Sequence, residues 1–259
     1  MSWLITGSEK NPTDPYRSSV TLLLIGNGTD GSTNILDSGT NPRIVTANGD
    51  AKISTLISDP FGNPTTGVIK FDGVGDNLHY PATSVWTNLQ GLTTNFTVEA
   101  WIYPTGTGSQ GSDIIGINIG GQTSAVSFHI TNSTRYLMFR SWGNFNYTDT
   151  TSNPTAISLN TWSHVVASKS GTTMRLFING TLVGTQIIGS ATIPSLGSTV
   201  VQIGGRTTDD VLKFVGYMSN IRISQDITRY VEGTGANAGK MVFTGTNTLA
   251  LPTKSFTDI

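Results

Sequence analysis

Residues 160–187 read NTWSHVVASKSGTTMRLFINGTLVGTQI. Trp162 to Ser168, Met174 to Ile178 and Thr181 to Ile187 alternate apolar and polar side chains with a period of two, the pattern of strands that bury one face. Asn179-Gly180 stands between the second and third runs and supplies the two positive φ angles of a type I′ hairpin turn. Lys169-Ser170-Gly171 makes a looser turn before them. The stretch predicts a three-stranded antiparallel meander.

The rest of the chain is built the same way. Short β-branched runs recur between clusters of Gly, Asn, Pro and Ser: Arg43 to Ala47, Thr66 to Asp72, Asn77 to Tyr80, Phe96 to Tyr103, Asp113 to Asn118, Ala125 to Thr131, Tyr136 to Trp142, Thr199 to Ile203 and Lys213 to Ser224. Ser19 to Ile25 differs, because its unbroken Val20, Leu22, Leu23, Leu24, Ile25 run predicts burial on both faces and a central position. Val242 to Leu251 reads as a last strand or hairpin outside the main body. No amphipathic helix of useful length is legible, and the composition agrees: there are 30 Gly, and Glu9, Glu99 and Glu232 are the only glutamates. About a dozen strands result, enough for two stacked sheets.

Composition also bounds function. The 259 residues contain no cysteine, which excludes a disulfide scaffold and a thiolate metal site. Charged residues are 12% of the chain and the net charge is −1, so the basic footprint that binds a nucleic-acid backbone is missing. No run has the length of a membrane-spanning helix, and Met1 to Arg17 has neither a basic start nor an apolar signal core. The expected partners therefore include neither nucleic acid nor membrane, and synthesis is expected in a cytoplasm.

Four motifs in order, Phe96-Thr-Val-Glu-Ala-Trp-Ile-Tyr-Pro104, Asn160-Thr-Trp-Ser-His-Val-Val166, Met174-Arg-Leu-Phe-Ile-Asn-Gly180 and Phe214-Val-Gly-Tyr-Met-Ser-Asn-Ile-Arg-Ile223, resemble the laminin-G-like, concanavalin A-like lectin/glucanase superfamily. The resemblance runs from about Ser19 to Tyr230 and implies an all-β jelly-roll β-sandwich. Asp14-Pro-Tyr-Arg-Ser-Ser-Val-Thr-Leu-Leu-Leu24, with the segment from Ile223 to Tyr230, resembles the form of this domain found in structural proteins of tailed bacteriophages, particularly cyanophage-like ones. The expected organisation is an extended N-terminal arm over 1–16, the sandwich over 17–230 and a C-terminal strand or tail over 231–259. The aromatic residues in the motifs, Trp101 and Trp162 with Phe71, Phe96, Phe177 and Phe214, read as core side chains.

Chemistry is sparse. A glycosidase needs two flanking carboxylates, and Glu99 has no acidic neighbour within five positions. Ser163 and His164 are adjacent in a strand and point to opposite faces, while His79 and His129 read as isolated. Gly233 to Lys240 has Thr234 and Met241 where a phosphate loop needs Gly and Ser or Thr, so it reads as a loop. An enzyme is not expected.

Binding is better represented. Trp142, Asn144, Phe145, Asn146 and Tyr147 form an aromatic, amide-rich loop suited to a glycan, to a neighbouring subunit or to covering the core edge, and Trp86 is a weaker second platform. No cofactor is expected. Structural calcium is a candidate at Asp72, Asp76 and Asn77, with Asp209-Asp210 at the same rim and plain turn acids as the alternative. The superfamily often places an acidic pair before the Val-Arg-Ile strand, and Ser219-Asn220 departs from it. In the arm, Trp3, Leu4, Ile5 and Tyr16 are too apolar for a solvated tail and suit an intermolecular contact, with docking on the chain's own sandwich as the alternative.

The resulting expectation is a non-enzymatic virion protein on the particle surface: a capsid decoration or cement protein bound to the major capsid protein or other virion proteins, homo-oligomeric or lattice-bound. The absence of heptads and repeats favours that position over a long fibre. The alternative is a tail-fibre or receptor-binding adhesin that contacts host carbohydrate.

Overall fold

The computed structural model describes residues 14–80, 94–119, 126–141, 145–148, 155–187, 199–205, 212–244 and 251–256. Its strands are β1 (Val20–Leu24), β2 (Thr46–Asn48), β3 (Lys52–Ser54), β4 (Val68–Asp72), β5 (Asn77–Tyr80), β6 (Phe96–Pro104), β7 (Gly111–Ile119), β8 (Val126–Thr131) and β9 (Leu137–Ser141). They continue as β10 (Phe145–Thr148), β11 (Ser163–Ser170), β12 (Thr173–Ile178), β13 (Thr181–Ile187), β14 (Thr199–Ile203), β15 (Val215–Gln225), β16 (Tyr230–Glu232) and β17 (Met241–Phe243).

Two sheets stack. One runs β13-β12-β11-β6-β15-β4-β3, with β1 also on β15, and the other runs β10-β9-β8-β7-β14-β5-β2. Val98, Ala100, Ile102, Ile221 and Ile223 from the first meet Leu78, Ile117, Phe128, Phe139 and Ile203 from the second in one buried core. This is the expected all-β sandwich. The meander is present as β11, β12 and β13, and Asn179 (φ 48) with Gly180 (φ 74) makes its predicted turn. Strand β1 is buried on both sides as expected: Leu22 and Leu24 enter the core, while Val20 and Leu23, with Ile25 beyond them, pack on Phe256 outside the sheet. It is not central, however: among the described strands it pairs with β15 alone, and its burial on the outer side comes from Phe256.

Several elements differ from the sequence reading. Strand β3 has three residues, too short to display a period, and the strand expected over Arg43 to Ala47 is Thr46–Asn48. Phe145, Asn146 and Tyr147, read as loop, lie in β10, whose backbone pairs with β9. Val242 belongs to a short hairpin, β17 with β16, outside the two main sheets, one of the two forms expected for this segment, although β17 ends at Phe243. Trp101 and Trp162 are outside the inter-sheet core. The alternation of β6 sends Val98, Ala100 and Ile102 inward, and so turns Thr97, Glu99, Trp101 and Tyr103 to the outer face.

Candidate functional site

The outer face of the eight-stranded sheet is organised by cross-strand rows on β15, β6 and β11. Tyr217 pairs with Tyr103, Ser219 with Trp101 and His164, Arg222 with Glu99 and Val166, and Ser224 with Thr97 and Ser168. Between Ser219 and Arg222 the register shifts at a bulge, with Asn220 at φ 50. That extra residue keeps Arg222 on the outer face while Ile221 and Ile223 fill the core.

One half of this face is covered and charged. Glu99 Oε1 accepts from Arg222 Nε (2.9 Å) and Nη2 (2.8 Å), and Oε2 accepts from Tyr230 OH (3.0 Å) and meets His164 Nε2 at 3.1 Å. Arg229 holds Asp14 through Nη1 (3.0 Å) and Nη2 (2.8 Å), donates from Nε to Ser224 Oγ (2.6 Å), and reaches the Tyr16 carbonyl at 3.1 Å. Arg222 Nη1 lies 3.5 Å from Asp14 Oδ2 and joins the two clusters. Two guanidinium groups thus balance two carboxylates inside the protein; Arg229 grips both oxygens of Asp14, while Arg222 takes one oxygen of Glu99 and Tyr230 and His164 take the other, so each charge is met away from water.

Burial alone would raise the Glu99 carboxyl, but Arg222 and then the His164 contact outweigh it and hold it at about 2. Burial also pushes the Tyr230 phenol up, reinforced by the Glu99 charge, so it stays a donor. Burial opposes ionisation of Asp14 as well, and the Arg229 bonds overcome it and lower its pKa. Glu99 is fully buried and held ionised, which disqualifies it as a general acid. Val166, Phe177, Tyr230 and Met241 form an apolar cluster beside this network, so the β16–β17 hairpin seals it.

Among the described residues, the other half is left open. Tyr103 lies 5.5 Å from Trp162 and 6.0 Å from Tyr217, ring centre to ring centre, and all three are half-exposed. Trp162 Nε1 donates to the Ser58 carbonyl (3.0 Å), which fixes the indole edge while leaving part of the ring in solvent. Half-exposed Phe61 packs edge-on against Trp101 at 5.8 Å. The turn that presents Phe61 is held by Asp59, whose Oδ1 accepts from the Phe61 and Asn63 amides at 2.9 and 2.8 Å. The sequence reading placed Trp162 in the core. Its position just before β11 in an alternating run was visible, but nothing in the run says what covers that side.

The other expected sites fare differently. Trp142, Asn144, Trp86, Trp3, Leu4 and Ile5 lie outside the described residues, as do Asp209 and Asp210. Tyr16 does not extend away: its amide donates to Asp14 Oδ1 (2.9 Å), and its ring lies 5.7 Å from the Arg229 guanidinium. The buried Asp14–Arg229 pair pins this end of the expected arm to the chain's own sheet.

Carboxylate oxygens of Asp50, Asp72 and Asp76 lie within 4.8 Å of one another. Asp50 was not anticipated, because the β2–β3 turn that brings it there is 22 positions away from Asp72 in sequence. Asn77 turns aside, since strand alternation sends it opposite to Asp76. Its Oδ1 accepts from Asn48 Nδ2 at 2.8 Å. Asp76 accepts the Asp50 and Asp72 amides at 2.7 and 2.8 Å, and Lys52 Nζ sits 3.0 Å from Asp50. A hard cation would find oxygen donors here. The ammonium and the two amides already satisfy much of the same charge. Burial, ahead of its other influences, raises the Asp76 pKa. Gly49, at φ 67, passes so close that a Cβ would strike Asp76 Oδ1, so the cluster joins two turns.

His129 is not isolated. Ser127 Oγ lies 2.8 Å from His129 Nδ1 and donates to Asp113 at 2.5 Å, on the second sheet. With its proton given to Asp113, the hydroxyl is an acceptor toward the imidazole, the reverse of an activated nucleophile. Where the superfamily often places an acidic pair, the Asn220 carboxamide oxygen accepts from the Phe256 amide (2.8 Å) and Ser255 Oγ (3.1 Å), so this position anchors the chain's last described segment.

The family model for the concanavalin A-like lectin/glucanases superfamily, Laminin_G_3, matches residues 72–228, more than half of the sequence. The chain belongs to this superfamily. No curated protein matches it by sequence. Among solved structures, the binding domain of Paraclostridial Mosquitocidal Protein 1 aligns with a TM-score of 0.58 at 15% identity, covering 81% of this chain and 49% of that one. Domain 4 of AbnA, an extracellular arabinanase from Geobacillus stearothermophilus solved with arabinotriose, gives 0.57 at 16% identity, covering 80% of this chain and 92% of that one. A botulinum neurotoxin type C structure, from work describing cell entry as dependent upon interaction with two ganglioside molecules, gives 0.53 at 13% identity, covering 81% and 48%. The chain spans about half the length of the toxin structures and most of the arabinanase domain. At these identities the likeness is one of fold.

Proposed function

We propose that this member of the concanavalin A-like superfamily is a non-catalytic glycan-binding protein on the surface of a tailed-phage particle, and that it takes its glycan on the open half of the eight-stranded sheet. The observation that carries this reading is the row Trp162–Tyr103–Tyr217: three half-exposed rings in contact, positioned by strand pairing and by the Trp162–Ser58 hydrogen bond. Sugar rings have an apolar face that stacks on such a surface, and a pre-positioned platform loses little entropy on binding. The arabinotriose-bound arabinanase domain and the ganglioside-dependent toxin support the choice of ligand class. A non-catalytic role is supported by the state of the acids and nucleophiles described above. Glu99 is sealed and ionised, Ser127 is committed to Asp113, and Asp76 has both oxygens on amides.

The test is glycan binding by the isolated protein. Wild-type protein binds oligosaccharides, and Trp162→Ala loses them while remaining folded; a wild-type protein that binds none defeats the reading.

A second reading, capsid decoration through residues 1–13, is favoured by the locked Asp14 root. The two stretches that carry the phage resemblance, from Asp14 and from Ile223, are the ones joined by the Asp14–Arg229 pair. Deleting residues 1–13 should then leave the sandwich folded and abolish attachment to particles. Cryo-electron microscopy of particles separates the readings: density on the head lattice favours decoration, and density at the tail tip or fibres favours the adhesin.

A further inference from the structure

At Ser219 and Asn220 the neighbour of β15 changes from β1 to β4. A cleft of about 400 Å³ lies at this junction, between Ile25 and Asn27 after β1, Thr66 before β4, the Asp59–Phe61 turn, and residues 253–255. The volume falls in the range of small-molecule sites, about 300–1,000 Å³. Asn27, Thr66, Thr253 and Lys254 line it, and among the described residues their side chains have no hydrogen-bond or ion-pair partner. Asp59, by contrast, is buried with both oxygens occupied by donors of its own turn. Lys254 is therefore the uncommitted charge of the cleft.

The walls are held in place. Asn220 ties Ser255 and Phe256 to the bulge, the Arg222 guanidinium lies 3.8 Å from the Phe256 ring centre, and Phe256 packs on Val20, Leu23 and Ile25. The cleft also adjoins the aromatic row. Phe61 lines it and contacts Trp101, which stands two positions from Tyr103 on the same face of β6, about 7 Å along the strand.

We propose that this cleft holds the end residue of the glycan lying on the aromatic row, and that Lys254 selects an end residue bearing a carboxylate. The inference rests on the glycan reading above. Phe61 offers the apolar wall a sugar ring needs, Asn27, Thr66 and Thr253 offer partners for its hydroxyl groups, and the ammonium of Lys254 offers a counter-charge at the mouth. A glycan captured by its end in this way is distinguished from one gripped only along its length.

The experiment uses the full chain on an array of oligosaccharide pairs that differ only in the end residue, a uronic or sialic acid against a neutral sugar. Wild-type protein should bind acid-ended members at least about tenfold more tightly, a difference of about 1.4 kcal/mol. Lys254→Ala should abolish that preference, and Asn27→Ala with Thr253→Ala should weaken both members of a pair while leaving the preference in place. Trp162→Ala should weaken every glycan. Equal binding of paired glycans by wild-type protein, or a preference that survives Lys254→Ala, overturns the cleft assignment while the aromatic platform stands. Absence of any glycan binding by wild-type protein overturns the platform and the cleft together.

Discussion

Glu99 and Tyr103 are four positions apart on the same face of the same strand, yet Glu99 is sealed in an ion network and Tyr103 keeps part of its ring in solvent. The two halves of the outer face share β6, β11 and β15, so strand composition does not distinguish them. What distinguishes them, among the described residues, is the chain laid on top: Asp14 to Ser19, the β16–β17 hairpin and Phe256 on one side, and the turn carrying Phe61 on the other. A sheet face becomes core or binding surface according to what returns to cover it.

The largest break in this comparison comes from removing the centre of the covered half. Glu99→Ala leaves the Arg222 charge buried without its main partner and should cost about 3–5 kcal/mol, a fall in melting temperature of roughly 10 °C, measured by calorimetry. Loss of only a few tenths of a kcal/mol would show the network to be incidental.

Acid should dissect the same half more gently. The folded Glu99 pKa is depressed from 4.5 to about 2, so its contribution is fully present above about pH 4.5 and disappears as pH falls through 2. Asp14 shifts in the same direction. Melting temperature followed from pH 6 to 2 should drop across that window in wild-type protein and less steeply in Glu99→Gln.

On the open half the balance should invert. Trp162→Ala removes a half-exposed ring, and is expected to cost about 1–2 kcal/mol of stability while lowering glycan affinity by more than about tenfold. A variant that loses stability and keeps affinity would move the binding surface elsewhere. The smallest effect is expected at the Asp50 cluster, outside both halves: Asp50→Asn should leave the melting temperature unmoved, with or without added calcium. A calcium-dependent rise in wild-type protein that this substitution removes would establish a cation there.

Local chemistry made much of the fold legible. The Asn179-Gly180 turn, the double-sided burial of Val20 to Ile25 and the meander all follow from side-chain period and turn residues. The candidate face was hidden because it depends on long-range cover. The alternation in Phe96 to Pro104 told which residues share a side, but Trp101, buried under Phe61, and Tyr103, left half open, look alike in sequence. Arg222 reaches the outer face only because Asn220 adds a residue to β15, and one bulge inverts every later side chain of a strand. The aromatic loop around Trp142 attracted attention because its residues are contiguous, whereas Trp162, Tyr103 and Tyr217 are brought together from three strands.

The Asp14–Arg229 bond closes a loop of 215 positions, and that separation sets an order of events as well as a structure. Until Arg229 is available, Glu99 and its neighbours form an uncovered charged strip on a sheet whose other side can already pack. Closure of the covered half is therefore expected to come late, because it brings distant segments together in the manner of high-contact-order β topologies. The same pair should make the finished molecule slow to open there, since neither Asp14 nor the segment carrying Arg229 can leave the sheet without parting buried charges.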